Sequence, residues 1–255
     1  KAVEIYEENP SVKGMLLLNH GHFTFGKTAE ESYRRVIEQT NKVAAFFSLK
    51  KELELGKRHP TKNLYMIPKI RGLIADISLG KNDPMPIIDL RNSKQVLNLL
   101  NDKNLSKLEN RGMASPDHVI RTKGAPLHIK NIADYQDEKV LKKHIEGFSS
   151  RYIKYFNRQS KRADEKKSIL TADPKHGWLR SIGVIGVGKN AKEASATADL
   201  AEQNLHIRII SEKFGGFYPI KEKDMFDCEY WSLEQAKLGK GKPPAFEGKV
   251  VIVTG

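Results

Sequence analysis

The chain has 255 residues, 39% of them hydrophobic and 29% charged, which is an ordinary composition for a globular protein with one large or two modest domains. No apolar run approaches the roughly 20 residues that cross a bilayer, so we expect no membrane partner. Cys228 is the single cysteine, which excludes an internal disulfide and a cysteine-rich zinc site and favours a cytoplasmic protein.

The formal net charge of +13 raises nucleic acid as a partner. The lysines are spread along the whole chain, however, and alternate with acidic residues in segments such as 161–167. No recognised nucleic-acid motif organises them. We therefore expect no specific nucleic-acid binding, and a lysine-rich bias or an attraction for phosphorylated small substrates accounts better for the charge.

The first informative stretch begins with the short apolar run 15–18, which predicts a buried strand. Thr28 lies three residues before Glu31, and this spacing predicts a capping box in which each side chain bonds a free backbone N–H of the other. Apolar residues then recur at helical spacing as far as Phe47. The pattern predicts an amphipathic helix after the strand.

His20 lies between this strand and this helix. A lone histidine there is explained either as a half-buried imidazole bonded to the backbone or as a metal ligand. His22, two residues later, would project from the same face of a strand, so both rings could reach one metal ion.

Further elements follow in order. Helical spacing predicts a second amphipathic helix from Leu64 to Ile77, and the apolar run 87–90 predicts a strand. Ser93 can cap the next helix, and a long helical stripe covers 140–156. His176 is predicted to lie in a turn.

The segment Ser115–Lys123 is polar, basic and predicted to be a loop between a turn and a strand. Because arginine and lysine bind phosphate oxygens and histidine can donate a hydrogen bond, His118, Arg121 and Lys123 are candidate anion-binding residues. A surface turn with solvated charges explains the same composition equally well.

A repeat joins the two halves of the chain. Residues 183–194 align with residues 21–32 at a constant shift of 162, so the repeated units lie near 15–47 and 179–206. Asn190 and Glu193 take the places of the first capping pair.

Ile182 stands where the first unit has His20, and isoleucine cannot bind a metal, so we expect the second unit to be structural. Three glycines of this unit also suggest a nucleotide loop, but their spacing is not that of the dinucleotide fingerprint.

Residues 239–247 have the glycine, lysine and proline content of an interdomain linker. Residues 248–255 form an apolar run that ends at Thr254 and Gly255. A chain that begins at Lys1, inside a predicted helix, and stops at this strand is expected to be cut on both sides.

The string Asn19-His20-Gly21, with the following strand and residues 26–33, resembles the class II aldolase/adducin family. The resemblance gives His20 the position of the third histidine ligand of a catalytic zinc, with the other ligands upstream of this chain. His22 replaces a residue that is usually apolar in the family, and it is an additional candidate ligand. Asn19 is a candidate for substrate binding.

Residues 115–123, 230–238 and 246–255 resemble one branch, in which such an aldolase is fused to a short-chain dehydrogenase. The resemblance implies zinc-dependent cleavage of a phosphorylated ketose such as rhamnulose 1-phosphate, with zinc polarising the carbonyl, and NAD bound only by the missing dehydrogenase domain. It favours a substrate role for His118, Arg121 and Lys123, and it makes Thr254 and Gly255 the start of the cofactor motif.

The expected fold is α/β, with class II aldolase-like α/β/α layers around a mainly antiparallel sheet, and residues 1–238 form the later part of an aldolase region. The expected function is that of a fragment of the fused enzyme, weak or inactive alone and homo-oligomeric. A non-catalytic adducin-like binding module and a dehydrogenase-related protein lacking its cofactor domain are the alternatives. No catalytic residue is assigned, and whether the chain is itself an enzyme stays open.

Overall fold

The computed structural model of the protein describes residues 1–18, 21–47, 59, 64–78, 85–236, 249 and 251–253. Contacts divide the chain into two compact units, residues 1–52 and 53–255. Within the described ranges, no helix has both the length and the apolarity needed to cross a membrane. The predicted linker lies outside these ranges, as do four predicted site residues: Asn19, His20, Thr254 and Gly255.

The first unit spans residues 1–52, and its described part, 1–18 and 21–47, contains two helices and one hairpin. Strands β1 and β2 pair antiparallel, with Gly14 opposite Thr24 and Leu17 opposite Gly21. The elements are α1 (Ala2–Glu8), β1 (Gly14–Leu17), β2 (Gly21–Thr24) and α2 (Ala29–Phe46).

The predicted capping box at the start of α2 is confirmed in its Thr28 half, whereas the Glu31 carboxylate bonds the N–H of Lys27 instead of that of Thr28. The Glu31 N–H donates to Thr28 Oγ1 at 3.1 Å, and the Lys27 N–H donates to Glu31 Oε2 at 2.7 Å. The prediction of a buried strand is wrong, because Leu16 is 70% exposed and no residue of α2 is buried. Local sequence therefore sets the elements of this unit, and none of its described residues, 1–18 and 21–47, is buried.

The second unit, residues 53–255, contains a four-stranded sheet covered by helices. Its strands are β3 (Ile87–Arg91), β4 (Leu127–Ile129), β5 (His176–Leu179) and β6 (Gly183–Gly188), and its helices are α3 (Met66–Ser78), α4 (Lys94–Leu99), α5 (Leu105–Leu108), α6 (Pro116–Thr122), α7 (Glu138–Ser160), α8 (Ala191–Ser211), α9 (Glu222–Glu229) and α10 (Ser232–Ala236), with 3₁₀ turns at Ile132–Gln136 and Glu212–Phe214.

The strand order is β3-β6-β5-β4. β6 pairs antiparallel with both β3 and β5, while β4 joins β5 in parallel. One face of the sheet packs on α3 and α7, and the other packs on α4, α5 and α8. The fold prediction of α/β/α layers around a mainly antiparallel sheet is confirmed.

Alternation along the strands builds the two cores. Leu179 and Ile185 face the α3 and α7 layer together with Ile182, whereas Trp178 and Val184 face the α8 layer. Successive side chains of a strand point to opposite faces, so two adjacent hydrophobic residues supply both cores.

The glycines of β6 allow α8 to lie directly on the sheet. A Cβ added at Gly186 would lie 2.2 Å from the backbone N of Ala198, and one added at Gly188 would lie 2.3 Å from that of Ala194. Such distances are too short for any side chain. Close packing of helix on strand therefore explains the glycine string better than a nucleotide loop does.

The second capping pair is confirmed in its Asn190 half, and Glu193 bonds the N–H of Lys189 just as Glu31 bonds that of Lys27. The Glu193 N–H donates to Asn190 Oδ1 at 2.9 Å, and the Lys189 N–H donates to Glu193 Oε2 at 3.1 Å. In the β5–β6 hairpin, His176 pairs with Gly186, a pairing that lies 162 positions after the pairing of Gly14 with Thr24.

Two sequence predictions of local structure are wrong. Residues 116–122 form helix α6 rather than a loop, and the Ser-Pro pair at its start explains why, since proline is favoured at the first helical position. His176 opens strand β5 rather than lying in a turn, and it is fully buried.

Candidate functional site

Helix α6 directs the three candidates of segment 115–123 into three different environments. His118 lies in the interior and Arg121 lines an open groove. Lys123, the residue after the helix, lines a separate cavity. The residues that sequence reasoning grouped as one site are therefore not brought together.

His118 is held by groups of its own segment. Its Nδ1 lies 2.7 Å from Ser115 Oγ, and its carbonyl accepts from Thr122 Oγ1 at 2.6 Å. Burial lowers the pKa of the His118 imidazole against the effect of a hydrogen bond with Gln203, and the nearby Arg208 guanidinium acts in the same direction as burial. The ring is neutral at pH 7, and its role in substrate binding stays a prediction.

His176 is a buried histidine whose environment the sequence did not reveal. Its Nδ1–H donates to the carbonyl oxygen of Thr122 at 2.8 Å. Burial lowers the pKa of His176 to about 3, with the Arg208 guanidinium as the second cause. The bond joins the start of β5 to the end of α6 and fixes the direction in which the chain leaves that helix.

Arg208 of α8 is buried, and its positive charge helps to lower the pKa of both His118 and His176. Its guanidinium donates to the carbonyl oxygens of Leu108, at 2.7 Å, and Gly112, and it lies 5.1 Å from the centre of the Trp178 ring. Burial lowers its pKa to about 9, so it stays protonated at pH 7. The signal for its burial was present, because Arg208 follows Leu205 by three residues on the apolar face of α8.

Arg121 lines a groove of about 810 Å³ beside the N-terminus of α8. Arg121, Lys175 and Lys192 contribute three positive charges there, and Asp117, Glu193 and Asp199 contribute three negative charges. This balance of charge gives the groove no preference for an anion.

Lys123 is the most unusual of the predicted residues. Its backbone is left-handed, with φ of 62°, a conformation that non-glycine residues rarely adopt. Its ammonium donates to the carbonyl oxygens of Asp173, at 2.6 Å, and Thr171, and it lies 4.0 Å from the centre of the Tyr152 ring. Burial lowers the pKa of Lys123 to about 8, against the attraction of Asp173.

The cavity beside Lys123 has a volume of about 330 Å³. Phe148, Tyr152 and Tyr155 of α7 form its apolar wall, and Met225 of α9 lines it as well. This volume is at the small end of the range for ligand pockets, roughly 300–1,000 Å³.

A buried carboxylate fixes the two tyrosines. Glu229, which is 1% exposed, accepts from the hydroxyls of Tyr152 at 2.8 Å and Tyr155 at 3.0 Å. Tyr230 adds a hydroxyl contact to Tyr152 at 2.7 Å. Burial raises the pKa of Glu229. No sequence motif pointed to this network, because α9 is far from α7 in the chain.

The mouth of the cavity is basic. Arg151, Lys154 and Arg158 of α7 line it, and they lie on one helical face because they are spaced by three and four residues. Arg158 forms a two-pronged ion pair with Glu222, with N–O distances of 2.9 and 2.8 Å. Arg151 and Lys154 have no carboxylate partner among the described residues.

His22, the additional metal candidate, lies on β2 in the first unit. Its Nε2 is 2.6 Å from Gln39 Oε1. In the part of the chain that the structure describes, no group of three or more His, Cys, Asp or Glu side chains could hold a metal ion. The described residues therefore do not fit a catalytic zinc, which needs three protein ligands.

The layered fold and the cavity with an apolar wall and a basic mouth define an α/β domain of the kind that houses small-molecule sites. The sequence profile of the family described as "Aldolase class II, second domain" matches residues 61–238, and the chain therefore belongs to the class II aldolase family. Members of this family generally use a divalent metal ion.

A relative was also found among curated proteins, an "uncharacterized oxidoreductase" of Bacillus subtilis (strain 168) called YuxG. It is 27% identical over 263 aligned positions, which cover 97% of this chain and 37% of that protein. This chain thus spans little more than a third of the relative's length. No solved structure matches this chain.

Proposed function

We propose that this chain is the later part of the aldolase region of a protein that cleaves a phosphorylated ketose and also carries a short-chain, NAD-dependent oxidoreductase. The family match over residues 61–238 carries the aldolase half of this proposal. The relative that is named an oxidoreductase and aligns with 97% of this chain supports the other half.

The substrate class is proposed from charge and from the resemblance of segment 115–123. A net charge of +13 attracts anions, and a phosphorylated sugar is the anion that class II aldolases of the fused branch would cleave. Rhamnulose 1-phosphate is the proposed representative, and a cytoplasmic homo-oligomer is the proposed state.

The metal is proposed to depend on His20. The described residues do not supply three ligands, so His20 needs partners from outside the described ranges. We therefore expect the 255-residue chain alone to have little aldolase activity.

The test is an aldol-cleavage assay on the protein expressed at its natural length and on the 255-residue chain. Cleavage of rhamnulose 1-phosphate is followed through the triose phosphate it releases, with and without zinc, and a second assay follows aldehyde-dependent reduction of NAD. The proposal expects both activities at natural length and little cleavage by the chain alone. Robust zinc-dependent cleavage by the chain alone, or none at natural length, would contradict it.

A second candidate is a non-catalytic binding module of the adducin kind. It is favoured by the second repeat, residues 179–206. There Ile182, which is fully buried, takes the position that His20 has in the first repeat. Metal analysis at natural length separates the two candidates, because a module without catalysis should carry no stoichiometric zinc.

A further inference from the structure

The cavity between α7 and α9 combines features that the family match does not assign. It has a buried ammonium, an aromatic wall and a basic mouth, all contributed by the second unit. We infer that this cavity binds a monophosphorylated sugar-sized molecule, with the phosphate held at the mouth by Arg151 and Lys154. The inference rests on the proposed function for the substrate class, and it adds the site.

The charges decide which end of the ligand lies at the mouth. Glu222 is neutralised by the two hydrogen bonds from Arg158. Glu229 is buried behind the tyrosines, and burial raises its pKa. Arg151 and Lys154 are therefore left, within the described ranges, as two exposed cations without a carboxylate, and a phosphate dianion matches them in charge.

The aromatic wall of the cavity suits the uncharged C–H face of a sugar ring, whose hydroxyls can stay toward the open mouth. Phe148 and Tyr152 offer ring surface, and the hydroxyls of Tyr152 and Tyr155 are committed to Glu229. The ammonium of Lys123 is committed to two backbone carbonyls. These bonds hold the walls in place without using the ligand, so the site is preformed.

The volume sets the size of the ligand. About 330 Å³ accommodates a sugar monophosphate, whereas a dinucleotide needs a much larger pocket. Met225 contributes an adaptable part of the wall, because its side chain has several rotatable bonds. A Cβ at Gly124 would lie 2.7 Å from Met225 Cε, which shows how closely that side chain packs on the loop after α6.

The inference is tested by isothermal titration of the full 255-residue chain with fructose 1-phosphate, fructose and inorganic phosphate. The variant is the double substitution Arg151→Ala/Lys154→Ala. The matched control is Lys142→Ala/Lys143→Ala, which removes two exposed cations of the same helix that do not line the cavity. Urea midpoints check that both variants remain folded.

We expect saturable binding of fructose 1-phosphate that is weakened at least about tenfold in the cavity variant, because two charge-assisted contacts are lost. The control should stay within about twofold, and fructose should bind more weakly than its phosphate. Unchanged binding by the cavity variant, or equal weakening in the control, would overturn the inference. Equal affinity for inorganic phosphate would overturn the sugar-sized part of it.

The result is separable from the fate of the proposed function. Cleavage activity at natural length with unchanged binding in the cavity variant would leave the aldolase proposal standing and remove this site. Binding at the cavity without any cleavage would do the reverse.

Discussion

The two strand–helix units of the chain, β2 with α2 and β6 with α8, are alike in local structure and opposite in burial. Both helices begin with the same two cap hydrogen bonds, and both hairpins have the same register 162 positions apart. Yet α8 buries nine residues, whereas α2 buries none.

The difference shows that the local sequence determines the caps and the hairpin register. The burial of an element depends instead on what packs against it. Gly186 and Gly188 let α8 contact β6 through its backbone, and the corresponding positions of the first unit are Thr24 and Gly26. The origin of the two units by duplication stays a prediction.

The largest expected effect is the difference in stability loss between Gly183→Ala and Gly21→Ala. These two glycines occupy the same position in the two repeats. Both have positive φ, 157° and 144°, so Gly→Ala strains both. Only at Gly183 would the new Cβ also meet backbone, 2.4 Å from Arg91 O.

We therefore expect Gly183→Ala to lower the free energy of unfolding by about 2 kcal/mol more than Gly21→Ala lowers the stability of its own hairpin. Urea unfolding followed by the fluorescence of Trp178 and Trp231 measures the first, and hydrogen exchange of the β1–β2 amides measures the second. Equal losses would mean that packing does not distinguish the units.

The next effect is a pH dependence of stability that we assign to the β5–β6 hairpin. There His176 takes the position that Gly14 has in the β1–β2 hairpin. Burial holds the pKa of His176 at about 3 in the folded protein, against about 6.5 in the unfolded chain. Between these values the unfolded state binds more protons, so stability is fully present above pH 6.5 and falls as the pH falls toward 3.

Between pH 7 and pH 5 we expect the free energy of unfolding to fall by about 2 kcal/mol more in the wild type than in His176→Gln. Urea titrations at the two pH values measure this difference. His22→Gln, a change at an exposed ring of the first unit, is the control, and the same flattening in that variant would contradict the assignment to His176.

The smallest effect concerns the caps. Thr28→Ala and Asn190→Ala each remove the side-chain acceptor of one helix, and each should cost about 1 kcal/mol of local stability. Faster hydrogen exchange at the Glu31 and Glu193 amides reports the loss. Similar changes would support a local origin of the caps, and a much larger change at Asn190 would show that burial amplifies its contribution.

Much of the fold could be predicted because its signals are local. The caps at Thr28 and Asn190, the cap at Ser93 and the long stripe of α7 all follow from spacing within a few residues. The burial of strand β1 was predicted wrongly. An apolar run shows only that burial is possible, and tertiary packing decides whether it occurs.

The candidate site could be predicted only in part. Lys123 was found from its basic segment, but its partners Tyr152 and Glu229 come from α7 and α9, which the sequence does not show to be neighbours. His118 and Arg121 were grouped with it because a loop was assumed. The helix instead turns successive side chains toward different surroundings.

We propose that the two repeats, near 15–47 and 179–206, have different roles. The first carries the metal ligand, and the second is structural at the equivalent position. The most direct test compares His20→Ala with Ile182→Val in the protein at its natural length, measuring zinc content and cleavage of rhamnulose 1-phosphate. We predict that His20→Ala loses zinc and at least about 100-fold in cleavage, whereas Ile182→Val keeps both and loses about 1 kcal/mol of stability. Cleavage and zinc retained in His20→Ala would contradict the claim.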